Sequence, residues 1–154
     1  MCAGISNCKV VLWEYVSGRW GGKKAAEMYK GPIMKTLKQQ RGRKKSYLLV
    51  EDNDPQGYKS GAAQAAKKSV GIKTMEWPRY SPDLNPLDFS LWQNIEARMA
   101  KAEPHGKETV AAFKQRLRRV ALATPTSDVR KMLEAVRVRA KAIHSAKGGD
   151  IERD

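Results

Sequence analysis

Cysteine is scarce: Cys2 and Cys8 are the two in 154 residues. Neither has metal-type partners near it in sequence, which argues against a disulfide framework and against a zinc module. Both read as incidental thiols. Long apolar runs are missing as well. Nothing approaches the roughly 20 consecutive apolar residues that span a bilayer, so no membrane partner is expected. Met1 to Val16 has no basic segment followed by a long apolar one, and no secretory signal is expected. Internal repeats and low-complexity tracts are absent. Acidic residues are few, 16 against 30 Lys and Arg, for a net charge of +14. Apolar residues are not scarce at 41%, which excludes a wholly disordered chain. The length suits one domain with a real core.

The charge is unevenly placed. Residues 1–50 hold 11 Lys and Arg against 2 acids, residues 51–100 hold 6 against 7, and residues 101–154 hold 13 against 7. A near-neutral centre that contains clustered acids lies between two basic arms. That pattern suits a polyanion held beside an acidic, metal-binding site. A soluble basic protein with solvated lysines is the alternative.

Periodicity gives a mixed α/β chain. Lys9 to Val16 reads as a strand. Residues 23–40 turn helical, with Ala25, Met28, Tyr29, Ile33 and Leu37 at three- and four-residue steps, and Gly31-Pro32 predicts a kink or two shorter helices. Arg41, Arg43, Lys44 and Lys45 form a basic loop that suits a nuclear address, a phosphate contact or plain solvation. Tyr47 to Glu51 reads as a buried, parallel strand. Gly57 to Val70 is an alanine-rich helix closed by Gly71, and Lys73 to Trp77 is a third strand, which completes a crossover unit. After a proline-punctuated turn, Asn85 and Pro86 open a helix, with Leu87, Leu91 and Ile95 as its stripe, widened by Trp92 and Met99. Two more helices follow. Val110, Phe113, Leu117 and Val120 are expected inward on the first. Val129, Met132, Leu133, Val136, Ala140 and Ile143 are expected inward on the second. Arg118 and Arg119 on the first, and Arg130, Arg137 and Lys141 on the second, face outward as candidate phosphate contacts.

Two carboxylates stand at element ends: Asp52 after the strand and Asp88 in the first helical turn, with 35 residues between them. Magnesium or manganese takes oxygen ligands of this kind, and two such ions serve phosphodiester chemistry. Local roles are equally open from spacing. Asp52 lies in an Asx-rich turn, Asp88 is suited to neutralising helix-start amides, and Asp83 reads as a turn former.

The combination E-D-N-D-P, E-W-P and S-P-D-L-N-P-L-D followed by L-W resembles the catalytic domain of mariner-type DDE/D transposases. The resemblance is dense from about Tyr47 to Trp92 and continues weakly to I-H-S-A-K-G-G. It implies a truncated ribonuclease-H-like sheet, about three strands recognisable, with flanking helices and a helical C-terminal tail. Residues 1–104 would be the partial catalytic domain and 105–154 its tail. It implies Asp52 and Asp88 as catalytic and metal-binding acids, Mg2+ (or Mn2+) as cofactor, and DNA as partner, as transposon ends or non-specific duplex. A nuclear location follows in a eukaryotic host.

The departures are specific. The family's first acid lies on an opening strand, whereas only Glu14 and Glu27 precede Glu51 here, neither in such a setting. The end-reading helix-turn-helix region has no counterpart. The expectation is therefore impaired cleavage and strand transfer, with missing early strands leaving an open sheet edge. The alternatives are a non-enzymatic basic DNA-binding module and a fragment that forms homo-oligomers or pairs with a full-length transposase.

Overall fold

The computed structural model describes residues 1–41, 47–102, 104 and 106–148, with the Arg41 side chain outside the description. The chain forms two compact units. One comprises Met1–Ala3 and Glu14–Tyr80, the other Gly4–Trp13 and Ser81–Asp154. No helix among the described residues is long and apolar enough to cross a membrane.

The chain opens with a hairpin of β1 (Cys2–Ser6) and β2 (Lys9–Glu14). Asn7 and Cys8 make its two-residue link, both in the left-handed region at φ 50° and 55°. A two-residue hairpin link requires that conformation, because its twist matches the strands. Asparagine accepts it readily. The expected strand at Lys9 is present but ends at Glu14. β1 was not expected from the pattern, since Ile5 is its one β-branched residue.

In the first unit, α1 (Gly22–Met28), a π-helical turn (Tyr29–Ile33) and α2 (Met34–Arg41) run as continuous helix. Pro32 lies within the π turn. The wider turn is the local adjustment that a proline without an N–H demands, and it joins α1 to α2 where a kink or two shorter helices were expected at Gly31-Pro32. Ala25, Met28, Tyr29 and Ile33 are buried from this segment.

β3 (Tyr47–Leu49) pairs in parallel with β4 (Ile72–Thr74), Tyr47 opposite Ile72 and Leu49 opposite Thr74. The crossover is α3 (Gly61–Ser69), capped by the Ser60 hydroxyl, which accepts from Ala63 N–H at 3.3 Å. Gly71 ends it at φ +73°, the conformation that a helix-terminating glycine supplies at least cost. Both strands are shorter than the apolar runs suggested. β3 is also less buried: Tyr47 is 4% exposed, but Leu48 is 61% and Val50 48% exposed. Side chains alternate along a strand. The face shared by Tyr47 and Ile72 is covered, and the Leu48 face is open. β1–β2 and β3–β4 remain two separate sheets.

In the second unit, a 3-10 turn (Pro82–Leu84) precedes a π-helical turn (Leu87–Leu91), which runs into α4 (Trp92–Lys101). Leu91, Ile95 and Met99 are buried, as the stripe predicts. α5 (Val110–Leu122) is capped by Thr109, whose hydroxyl accepts from Ala112 N–H at 3.2 Å. Val120 and Ala121 are its buried residues, whereas Val110 and Phe113 are exposed rather than inward. Arg116 explains part of this. It pairs with Glu108 at 2.7 Å, donates to the carbonyls of Met99 and Ala102, and lies 5.6 Å over the Phe113 ring. An arginine thus occupies the space beside Phe113 that a packed neighbour would have taken. α6 (Thr126–Ser145) buries Val129 and Met132. Leu133 and Ala140 are exposed, against expectation, because burial is confined to the helix's first turns.

Candidate functional site

The first four residues of E-D-N-D-P are held in different ways. Past the end of β3, Glu51 turns inward and Asp52 outward. The Glu51 side chain is 6% exposed and pairs with Lys67 of α3, itself 3% exposed. The Tyr29 hydroxyl donates to the other Glu51 oxygen. Lys67 also donates to the Tyr58 carbonyl at 3.0 Å and sits 5.0 Å over the Tyr29 ring. A charge pair this deep survives only with its remaining hydrogen-bond capacity filled, and here it is. Burial, and then the Glu51 contact, push the Tyr29 hydroxyl well above its ordinary range. It therefore stays a neutral donor.

Asn53 donates to the carbonyls of Trp77 (2.7 Å) and Pro78 (3.2 Å), tying the segment after β3 to the segment after β4. Asp54 is consumed by its own turn. It accepts from Gln56 and Gly57 N–H at 3.0 Å each and from the Trp20 indole at 2.6 Å. A Cβ on Gly57 would lie 2.3 Å from the Trp20 nitrogen and 2.4 Å from Asp54 Oδ2, so only glycine fits there. Asp52 remains exposed, its Oδ1 accepting from Asp54 N–H at 3.3 Å. Its charge also reaches the half-buried Tyr58 and the buried Cys2. Burial is the main reason both are pushed up, and Asp52 adds to it.

Asp88, in the second unit, is held at both oxygens. Asn85 Nδ2 donates to Oδ2 at 2.7 Å and the Trp92 indole to Oδ1 at 3.3 Å. Asn85 also accepts from Leu87 N–H at 3.2 Å, the helix-opening role expected of it. The Trp92 ring meets Trp13 edge to face at 5.5 Å. Arg139 reaches from α6 to the Asp83 carbonyl at 2.9 Å and covers the Phe89 ring at 4.6 Å. Asp83 is thus half a turn former and half an anchor.

Arg119, Arg130, Arg137 and Lys141 are exposed on α5 and α6. Arg118 is exposed too, but it also donates to the Trp13 carbonyl. The side chain of Arg41, together with Arg43, Lys44 and Lys45, lies outside the described residues. Pattern reading missed Tyr29, Lys67, Trp92 and Arg139. Lys67 had a detectable signal: with Ala63 and Ala66 it completes an i, i+3, i+4 inward stripe on α3. The others act through tertiary contacts that no local pattern encodes.

Both acids are hard oxygen donors at exposed positions, which suits Mg2+ or Mn2+, ions that use one or two carboxylates and keep several waters. Among the described residues, no three His, Cys, Asp or Glu side chains are grouped as a metal site.

No family model matches the chain. The Tcb1 transposase of Caenorhabditis briggsae is 30% identical over 109 residues, covering 68% of this chain and 36% of the relative. The Tc1 transposase of Caenorhabditis elegans is 28% identical over 104 residues, with the same coverage of 68% and 36%. The catalytic domain of the Mos1 mariner transposase superposes with a TM-score of 0.77 at 20% identity, covering 98% of this chain and 74% of that domain.

The sequence relatives of this chain are Tc1-type transposases, and its structure matches the mariner transposase catalytic domain. Its fold is the ribonuclease-H-like α/β fold of the mariner catalytic domain. A second Mos1 catalytic-domain structure, with raltegravir and Mg, gives a TM-score of 0.80 at 17% identity, and another contains raltegravir with Mn. The chain spans 36% of the length of the curated relatives it matches.

Proposed function

We propose that this mariner-type domain binds duplex DNA, that Asp52 and Asp88 are two of the family's metal-binding acids, and that its own cleavage activity is weak. The observation that carries the reading is how the two motifs are built. In each, one acid stays exposed among anchoring neighbours: Glu51, Asn53 and Asp54 make the long-range contacts around Asp52, and Asn85 and Trp92 orient the Asp88 carboxylate itself. Asp52 and Asp88 would hold Mg2+ or Mn2+, which supplies Lewis-acid stabilisation of phosphate oxygens and a lowered pKa for bound water. This chain's own residues orient the two carboxylates and attract the phosphate backbone.

Cleavage by residues 1–154 alone would be weak. Glu14 and Glu27 are the acids before Glu51, and neither matches the setting of the family's first acid. A nuclear location in a eukaryotic host fits a DNA substrate. The test is a nicking assay on supercoiled DNA with Mg2+ or Mn2+, using wild type, Asp52→Ala and Asp88→Ala. Slow nicking that both substitutions abolish is the expected result. Nicking that survives both would exclude these acids from the chemistry.

A second reading, a basic DNA-binding module without catalysis, is favoured by the exposed Arg130, Arg137 and Lys141 on α6. It predicts salt-dependent binding that needs no divalent ion and is unchanged in Asp52→Ala. A third reading, a fragment that forms homo-oligomers or pairs with a full-length transposase, predicts a stable oligomer with weak DNA binding, and sedimentation measures it.

A further inference from the structure

The segment that delivers Asp88 is poor in hydrogen bonds of its own. Pro82 and Pro86 lack N–H groups, and the 3-10 turn spans three residues, Pro82–Leu84. Its backbone bonds are Leu84 N–H to the Ser81 carbonyl at 3.2 Å and Asn85 N–H to the Pro82 carbonyl at 3.1 Å. A short, proline-broken turn held by two long bonds does not fix a carboxylate by itself. Yet the Asn85 bond to Asp88 depends on where this turn places Asn85.

The missing constraint comes from a residue 51 positions further on. Arg139 Nε donates to the Asp83 carbonyl at 2.9 Å, its terminal nitrogen lies 4.0 Å from the Asp83 carboxylate, and its guanidinium lies 4.6 Å over the Phe89 ring. Asp83 precedes Asp88 and Phe89 follows it, so one side chain grips the segment on both sides of the acid. The Arg139 side chain is 18% exposed, which keeps the contact partly screened from water. A planar fork that donates in its own plane and stacks through its face can do both at once, and lysine cannot.

We propose that Arg139 is a positioning residue for Asp88, bracing the Pro82–Leu91 segment from α6. The inference rests on Asp88 being a metal-binding acid. It also gives α6 a second task beside phosphate contact, because Arg137 and Lys141 flank the brace on the same helix. DNA held by those two side chains would be held by the element that sets Asp88.

The test uses the full chain as wild type, Arg139→Gln, Arg139→Lys and Asp88→Asn. Hydrogen exchange is followed by mass spectrometry in peptides covering residues 81–91, and Mn2+ binding by electron paramagnetic resonance. Arg139→Gln should speed exchange in residues 81–91 by about tenfold, the factor that one charge-assisted bond is worth. It should leave exchange in α5 unchanged and weaken Mn2+ binding about five- to tenfold, roughly one coupling unit of 1.4 kcal/mol or less. Arg139→Lys should fall between, since it keeps the charge without the fork. It also stands in should the glutamine variant fail to fold. Mn2+ affinity within about twofold of wild type in Arg139→Gln, with binding lost in Asp88→Asn, would overturn the positioning role. Should wild type and Asp88→Asn bind Mn2+ alike, the metal reading fails by itself. Exchange then still decides the brace: faster exchange supports it, and unchanged exchange overturns it.

Discussion

Lys67→Met isolates the buried carboxylate that anchors the segment carrying Asp52. The structure sets the magnitude. Glu51 is 6% exposed and Lys67 3% exposed, so neither can turn to water without opening the packing between β3 and α3. Removing the cation leaves Glu51 with the Tyr29 hydroxyl as its remaining partner shown here. Breaking one side of such a pair costs about 3–5 kcal/mol. Replacing both charges by apolar groups of similar volume is often close to neutral. The expected order of stability is therefore wild type near Glu51→Leu/Lys67→Met, with Lys67→Met alone well below both. Tyr29→Phe, which removes one hydrogen bond to a charged group, should lose about 1.5–3 kcal/mol. Urea unfolding followed by far-UV circular dichroism checks wild type, Glu51→Leu, Lys67→Met and the double variant as a double-mutant cycle, with Tyr29→Phe beside them. A Lys67→Met cost below about 1 kcal/mol, the range of surface pairs, would refute the claim that this pair is buried and holds the strand end.

Three further outcomes are expected. Gly57→Ala should separate Trp20 from Asp54 and cost about 1–3 kcal/mol by overpacking; urea unfolding with Trp20 fluorescence reads it, and an unchanged midpoint would contradict the contact. Replacing Arg130, Arg137 and Lys141 together by Gln should reduce the slope of log binding constant against log salt by about 2.7, at about 0.9 per phosphate contact; a slope unchanged in filter-binding titrations would remove α6 from the interface. Arg116 holds the Glu108 carboxyl below its ordinary 4.5, so its contribution is complete above that value and is lost as pH falls through the lowered folded one. Acid unfolding of Glu108→Gln should therefore show a shallower loss of stability below about pH 4.5 than wild type, and identical profiles would rule the pair out.

The sequence shows some elements plainly and hides others for identifiable reasons. α3 and its glycine stop are legible because alanine propensity, Ser60 and Gly71 agree. The parallel β3–α3–β4 unit is legible because two apolar runs flank that helix. β1 is hidden, since its only strand-forming residue is Ile5 and its turn depends on Asn7 and Cys8 adopting positive φ. The inward faces of α5 and α6 were overread at Val110, Phe113, Leu133 and Ala140, because a 3.6-residue period marks a stripe without saying how much of it finds a partner. At the candidate site, Asp52 and Asp88 stand out through their motifs. The residues that hold them do not. Lys67 looks like a solvated helix-end lysine until Glu51 is seen beside it. Arg139 looks like one more basic residue of α6, with nothing local to separate it from Arg137.

The central claim is that Asp52 and Asp88 are metal-binding acids. Calorimetric titration of Mn2+ into wild type, Asp52→Asn, Asp88→Asn and the double variant tests it most directly. The account predicts that each single substitution weakens Mn2+ binding and that the double variant binds least. An Asp52→Asn or Asp88→Asn variant that binds as wild type does would contradict it.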